Sequence, residues 1–148
     1  MECIVFIGIQ ASGKTEFYKQ NFLKTHVRIS LDMLKTRHRE EVLLTACIQA
    51  RQPFVVDNTN PTAEDRCKYI FAARKGKFKT IGYYFQTDLK GSLERNENRS
   101  GTEHIRTAGI FGTHRKLELP SVKEGFDELK FVRITERFSF SVEDYNEV

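Results

Sequence analysis

Apolar and polar residues follow one another along this chain in two rhythms. Short apolar runs bounded by Gly, Pro, Asn or Asp occur at Glu2–Ile7, Val27–Leu31, Phe54–Val56, Phe78–Gln86 and Lys130–Ile134, and they predict buried strands. Helices are expected over Gly13–Lys24, over Met33–Gln52, from Thr62 to about Lys75, over Leu89–Arg99 and, as a shorter piece, near Gly109–Leu117. In the second of these, Leu43, Ala46, Cys47 and Ala50 share one face, widened by Leu44 and Ile48. Thr62 with Asp65 makes a capping box, Asp88 caps the next helix, and Pro53 and Gly76 act as stops. Phe138-Ser139-Phe140 alternates like a short edge strand.

Strands alternating with helices predict a three-layer α/β fold with a mostly parallel, five-stranded sheet. No repeat, linker or low-complexity segment divides the chain, so residues 1–148 read as one domain. The polar run Ser100–Arg106 between two helical stretches is the place for a small lid, at about residues 99–113.

Composition changes this picture little. Hydrophobic residues make up 39% of the chain, including 12 Phe, enough for a real core. No run of 18 apolar residues is present, so no membrane span is expected. Three scattered cysteines, Cys3, Cys47 and Cys67, suit reduced thiols rather than staples or zinc ligands. With no targeting signal at the start, a reducing, cytoplasmic setting is the expectation. The net charge of +4 is unevenly placed: residues 141–148 are acidic and the stretch from Arg66 to Lys116 is richer in Lys and Arg. That balance favours a phosphate-rich partner without choosing one. The oligomeric state is not legible.

Chemistry concentrates in Gly8-Ile9-Gln10-Ala11-Ser12-Gly13-Lys14-Thr15, which fits the phosphate-loop pattern G-x-x-x-x-G-K-[ST] between a strand and a helix. Gly8 and Gly13 permit backbone angles and close approach that a Cβ would block. Successive backbone N–H groups and a helix N-terminus then favour phosphate oxygens. Lys14 is placed to reach the β- and γ-phosphates of a nucleotide, and the Thr15 hydroxyl to take one position on Mg²⁺. Asp32 and Asp57 close the second and third strands, at the sheet end where ligands bind in such folds. If the third strand lies beside the first, Asp32 sits two strand spacings, about 10 Å, from the loop. That suits a base for an acceptor hydroxyl, although Asp there is also a favoured helix cap. Asp57 either holds Mg²⁺ through water or caps the turn Asn58-Thr59-Asn60. Arg95 and Arg99 share a helix face, and Arg99 adjoins the lid.

These segments together resemble the 5′-kinase module of the P-loop polynucleotide kinases, found in polynucleotide kinase-phosphatases and in the phage enzyme. The resemblance runs from about Cys3 to about Thr135. It rests on Gly8–Thr15, Ile29-Ser30-Leu31-Asp32, Val55–Pro61, Arg95–Arg99 and Pro120-Ser121-Val122-Lys123-Glu124-Gly125-Phe126. It implies a P-loop kinase fold and transfer of the ATP γ-phosphate, with Mg²⁺, to the 5′-hydroxyl of DNA or RNA. Lys14 and Thr15 would contact phosphate and Mg²⁺, Asp32 would activate the hydroxyl, and Arg99 would contact the transferring phosphate. Gly8, Gln10, Ala11, Ser12, Gly13 and Arg95 fall on the nucleotide side, and Lys35, Asp57 and Asn58 on the acceptor side. The chain departs from the family in having Gln10-Ala11 where Pro-Gly is usual, and Ser30-Leu31 where many members have Asn-Arg. It corresponds to the kinase module without a phosphatase or ligase domain.

Two other readings use the same residues: a small-molecule kinase acting on a nucleoside, sugar or antibiotic hydroxyl, and a nucleotide-gated nucleic-acid binder. Lys14, Thr15, Asp32 and Arg99 together argue against the binder, because binding alone needs no base.

Overall fold

A computed structural model describes residues 1–99, 105–136 and 139–146. Among them the strands are β1 (Glu2–Ile7), β2 (Val27–Ile29), β3 (Phe54–Val56), β4 (Lys79–Phe85), β5 (Glu128–Glu136) and β6 (Ser139–Asp144). The helices are α1 (Lys14–Asn21), α2 (Leu31–Leu34), α3 (Arg37–Ala50), α4 (Ala63–Lys75), α5 (Leu89–Glu97) and α6 (Thr107–Lys116). The strands form one sheet in the order β2-β3-β1-β4-β5-β6, parallel except for the antiparallel pair β5–β6.

β1 lies at the centre and is apolar on both faces, as a strand covered on both sides must be. Cys3, Val5 and Ile7 face α3 and α4, where they meet Leu44, Cys47, Tyr69, Ile70 and Ala73. Ile4 and Phe6 face the other way, toward α1, with Phe17, Tyr18 and Phe85. The many phenylalanines are explained there. Phe6 is fully buried and sits 5.1–6.1 Å, centroid to centroid, from Phe17, Phe22, Tyr83 and Phe85. Most of these pairs are edge-on, the arrangement that ring quadrupoles favour.

Three expectations are corrected. The single helix over Met33–Gln52 is two helices. Lys35 takes a left-handed conformation (φ 72°) after α2, and the Thr36 hydroxyl caps α3 by accepting from the Arg39 amide. The sheet has six strands rather than five among the described residues. The edge strand, placed at 138–140, runs from Ser139 to Asp144, so part of the acidic stretch is sheet; residue 138 itself lies outside the described residues. Cross-strand pairs draw those acids in: Lys130 with Asp144 at 2.6 Å, and Arg133 with Glu143 at 3.0 Å. The lid run at 100–104 also lies outside the described residues, and α6 comes next along the chain.

The late segment around Pro120–Phe126 is a buttress. Ser121 and Glu124 form a capping box on a 3-10 turn, and Glu124 pairs at 2.9 Å with the fully buried Arg66 of α4. Phe126 packs against Gly82 of β4, where a Cβ would come within 3.0 Å of its ring. Cys3 and Cys47 are buried, Cys67 is exposed, and all three are free thiols. No helix among the described residues is long and apolar enough to cross a membrane.

Truncating the central ring is the sharpest test of this core. Phe6→Ala is expected to lower the unfolding free energy by about 3–5 kcal/mol, the usual range for a buried Phe. Urea denaturation measures it, and a loss under about 1 kcal/mol would contradict the packing described.

Candidate active site

The phosphate loop bridges β1 and α1 and curls around its own lysine. Lys14 Nζ donates to the Gly8 carbonyl at 3.0 Å, the Ile9 carbonyl at 2.7 Å and Ser12 Oγ at 3.4 Å. The residue is only 8% exposed. Burial disfavours its charge and pushes its pKa down to about 8, against opposing help from Asp57 and Asp32 and with Arg99 adding to the fall. Gly13 (φ 92°) occupies the left-handed region that its position requires. Ala11 does so too (φ 59°), at a cost of about 1–2 kcal/mol that glycine would not incur.

Neighbouring elements hold that strained turn. The Gly8 amide donates to the Thr59 carbonyl at 3.0 Å. Arg95 Nε donates to the Ala11 carbonyl at 2.6 Å, and Gln10 Nε2 to Thr113 Oγ1 of α6 at 2.8 Å.

The block Asp57-Asn58-Thr59-Asn60 follows β3 and ties the strand ends together. The Asp57 amide donates to the Ile29 carbonyl of β2 at 2.8 Å, and Asn60 Nδ2 to the Phe6 carbonyl of β1 at 2.7 Å. Asn58 Oδ1 accepts from the Leu31 amide at 2.9 Å, at the start of the turn that carries Asp32. Asn58 Nδ2 in turn donates to Glu40 Oε2 at 3.0 Å. Glu40 is 1% exposed and neutralised by Lys68 (2.6 Å) and Arg37 (3.1 Å). Burial works against its charge, but these bonds hold its carboxyl below the usual range.

The Asp57 carboxylate points at the loop. Thr15 Oγ1 donates to Asp57 Oδ2 at 3.1 Å, and Arg28 Nε donates to the same oxygen at 2.8 Å. Thr15 and Asp57 offer hard oxygen donors of the kind that magnesium takes. Among the described residues no group of three or more His, Cys, Asp or Glu side chains gathers around a metal position.

One cavity of about 400 Å³ joins these parts. Gln10, Ala11, Lys14 and Thr15 of the loop line it, with Asp57 and Asn58 after β3, Asp32 of α2 and Arg99 just past α5. Asp32 is exposed there, and among the described residues it takes part in no salt bridge. Gly8, Ser12 and Gly13 shape the loop from behind. Arg95 grips the loop from outside the cavity wall and is anchored to Ser92 Oγ at 3.3 Å. Lys35 is not brought to the cavity: it is exposed at the left-handed break after α2. Arg37 and Lys116 line the wall instead. Sequence reasoning missed both, and also Arg28. A charged residue inside the short apolar strand Val27–Ile29 was the one available signal for Arg28.

No protein-family model matches the chain. Among curated proteins it is similar to the bifunctional polynucleotide phosphatase/kinase of Schizosaccharomyces pombe, with 23% identity over 135 residues, 88% of this chain and 33% of that protein. It is also similar to a putative bifunctional polynucleotide phosphatase/kinase of Acanthamoeba polyphaga mimivirus, with 29% identity over 138 residues and the same two shares. The chain thus spans about a third of the length of the curated relatives it matches. Among solved structures, Chaetomium thermophilum Kti12 in complex with ADP-AlF3 superposes with a TM-score of 0.74 at 15% identity, over 90% of this chain and 89% of that one. The PezAT toxin-antitoxin system of Streptococcus pneumoniae gives a TM-score of 0.64 at 14% identity, over 93% of this chain and 69% of that one. The fold is that of the P-loop kinases, and the resemblance to polynucleotide kinases carried by the sequence motifs is borne out by the curated relatives.

Proposed function

We propose that the chain is a kinase that transfers the γ-phosphate of ATP to the 5′-hydroxyl of a polynucleotide. The observation that carries this reading is the shared cavity, with the phosphate loop on one side and the exposed carboxylate of Asp32 across from it. The curated relatives, named as polynucleotide phosphatase/kinases, support the choice of acceptor.

In this reading the loop amides and Lys14 take the phosphates of the donor, and Asp32 accepts the proton of the acceptor hydroxyl. The hydroxyl oxygen bonds to the γ-phosphorus while the bond to ADP breaks, and ADP leaves with that electron pair. Arg99 stands at the same cavity to offset the charge that spreads over the transferring group. When bound, magnesium neutralises the β- and γ-phosphate oxygens, and Thr15 and Asp57 are the residues that would hold it. Arg37 and Lys116 line the same cavity and in this reading supply positive charge to the acceptor. Contacts of that kind go to backbone phosphate, so acceptor binding weakens with salt.

The experiment is incubation with γ-labelled ATP, Mg²⁺ and a 5′-hydroxyl oligonucleotide, beside a panel of nucleosides, sugars and aminoglycosides. Label on the oligonucleotide is expected; label on a small molecule alone would sink the reading. Asp32→Asn is expected to reduce transfer by at least a thousandfold while ATP affinity stays within about threefold, because only the base is removed.

Lys14 adds a pH test. In the free protein it is charged below about pH 8 and loses its proton above that, well short of the ordinary 10.5. Bound phosphate favours the charged form, so nucleotide affinity is full below about pH 8. It falls as pH rises, by up to about tenfold per unit, until the pKa of the complex is reached. Calorimetry in buffers of different ionisation enthalpy should show proton uptake on ATP binding at about pH 8.5, and no uptake would contradict this assignment.

A further inference from the structure

Arg28 occupies a position that the reaction, as drawn above, leaves unexplained. It lies mid-strand on β2, flanked by Val27 and Ile29, and its side chain is 22% exposed. Its guanidinium closes a triangle. Nε donates to Asp57 Oδ2 at 2.8 Å, a terminal nitrogen donates to Thr15 Oγ1 at 3.2 Å, and Thr15 Oγ1 donates to Asp57 Oδ2 at 3.1 Å. The carboxylate is 2% exposed, and a charge so buried needs a partner.

We propose that Arg28 is the resident cation of the metal position: it balances the Thr15–Asp57 pair in the nucleotide-free protein and must give up its bond to Thr15 before a divalent ion can bind. This rests on the reading of Thr15 and Asp57 as the magnesium residues. The Thr15 hydroxyl has two lone pairs; it gives its proton to Asp57 and one lone pair to Arg28, so a metal would have to share the oxygen with the guanidinium. Magnesium bonds oxygen at about 2.0–2.1 Å. An ion on Thr15 Oγ1 would therefore stand against a guanidinium bonded to the same atom, and the repulsion between the two cations opposes both staying. Asp57 is the carboxylate bonded to Thr15; Arg28 offsets its charge, and the neighbouring Lys14 ammonium, which Asp57 also attracts, leaves no excess of negative charge there. A divalent ion alone therefore gains little at this site. An ion that arrives with triphosphate brings its own anionic oxygens and can displace the arginine. Arg28 thereby makes metal binding conditional on nucleotide.

The probe is Mn²⁺, with free and bound ion distinguished by electron paramagnetic resonance on nucleotide-free protein. The natural chain is expected to bind Mn²⁺ only at millimolar concentration or weaker. Arg28→Gln is expected to bind it at least tenfold more tightly, and the added change Asp57→Asn should remove that gain. Arg28→Lys keeps the charge but not the fork and should fall between the two. Equal affinity in the natural chain and R28Q would overturn the proposal, as would a gain that survives D57N. Micromolar Mn²⁺ binding by the natural chain without nucleotide would overturn it too, with no variant needed. The measurement contains no phosphate acceptor, so it stands apart from the identity of the acceptor.

Discussion

A buried ammonium must be surrounded by oxygen, and this need shapes the ligand end of the sheet. Lys14 draws in two backbone carbonyls and a serine hydroxyl, and to present them the loop passes through left-handed geometry at Ala11 and Gly13. Such a turn persists only where its surroundings over-determine it. The supports come from three parts of the chain far apart in sequence: Thr59 after β3, Arg95 on α5 and Thr113 on α6. The loop is thus held in shape by contacts from the rest of the fold, and a turn fixed in that way has less ordering cost to meet on binding an anion.

The same logic runs one step further out. Asp32 is exposed, so nothing in its own packing holds it. Its position comes from the backbone, through the Leu31 amide on Asn58 and the Asn58 amide on Glu40. Glu40 is the fixed point, because an almost fully buried carboxylate bonded to Lys68, Arg37 and Asn58 has no other stable place to go. A carboxylate in α3 therefore sets where a carboxylate in α2 can stand relative to the loop, across a turn that belongs to neither strand.

The sequence was most legible where a local pattern carried the information. The extents of β1 and β3, the capping box at Thr62 and Asp65 and the Asp88 cap all agree with the structure, and β3 does lie beside β1, which the sequence allowed only as a condition. The break at Lys35 was not legible, because neither Lys nor Thr announces a left-handed stop and Thr36 reads as a cap only once the stop is known. β6 was hidden for a different reason. Its charges mark it as solvent-facing, and only the pairs with Lys130 and Arg133 show that the solvent lies at a sheet edge. Among the candidate site residues, Gln10, Ala11, Lys14, Thr15, Asp32, Asp57, Asn58 and Arg99 share one cavity. That convergence depends on strand order, which a motif does not encode. For Arg28 the sequence offered only a charge inside an apolar strand, because its significance is the company it keeps, a hydroxyl and a carboxylate 13 and 29 residues away.

Charge shows how the fold can restore what a local substitution removes. The bulk value of +4 is small and says little about where cations stand. The segment before Asp32 carries Leu31 where the resemblance leads one to expect an arginine, and Lys35 turns out to solvent. Yet the cavity is not short of positive charge, because Arg37 and Lys116 line it together with Arg99. The break after α2 is what makes this possible. A continuous helix would have carried the chain straight on past Lys35; instead the left-handed turn and the Thr36 cap restart it, and Arg37 opens α3 beside the cavity, pinned by Glu40 and Tyr69. In a cavity with low-dielectric walls, position rather than total charge sets the attraction felt by an anion. The residue that looks like a flaw in the helix thus sets which cation faces the cleft.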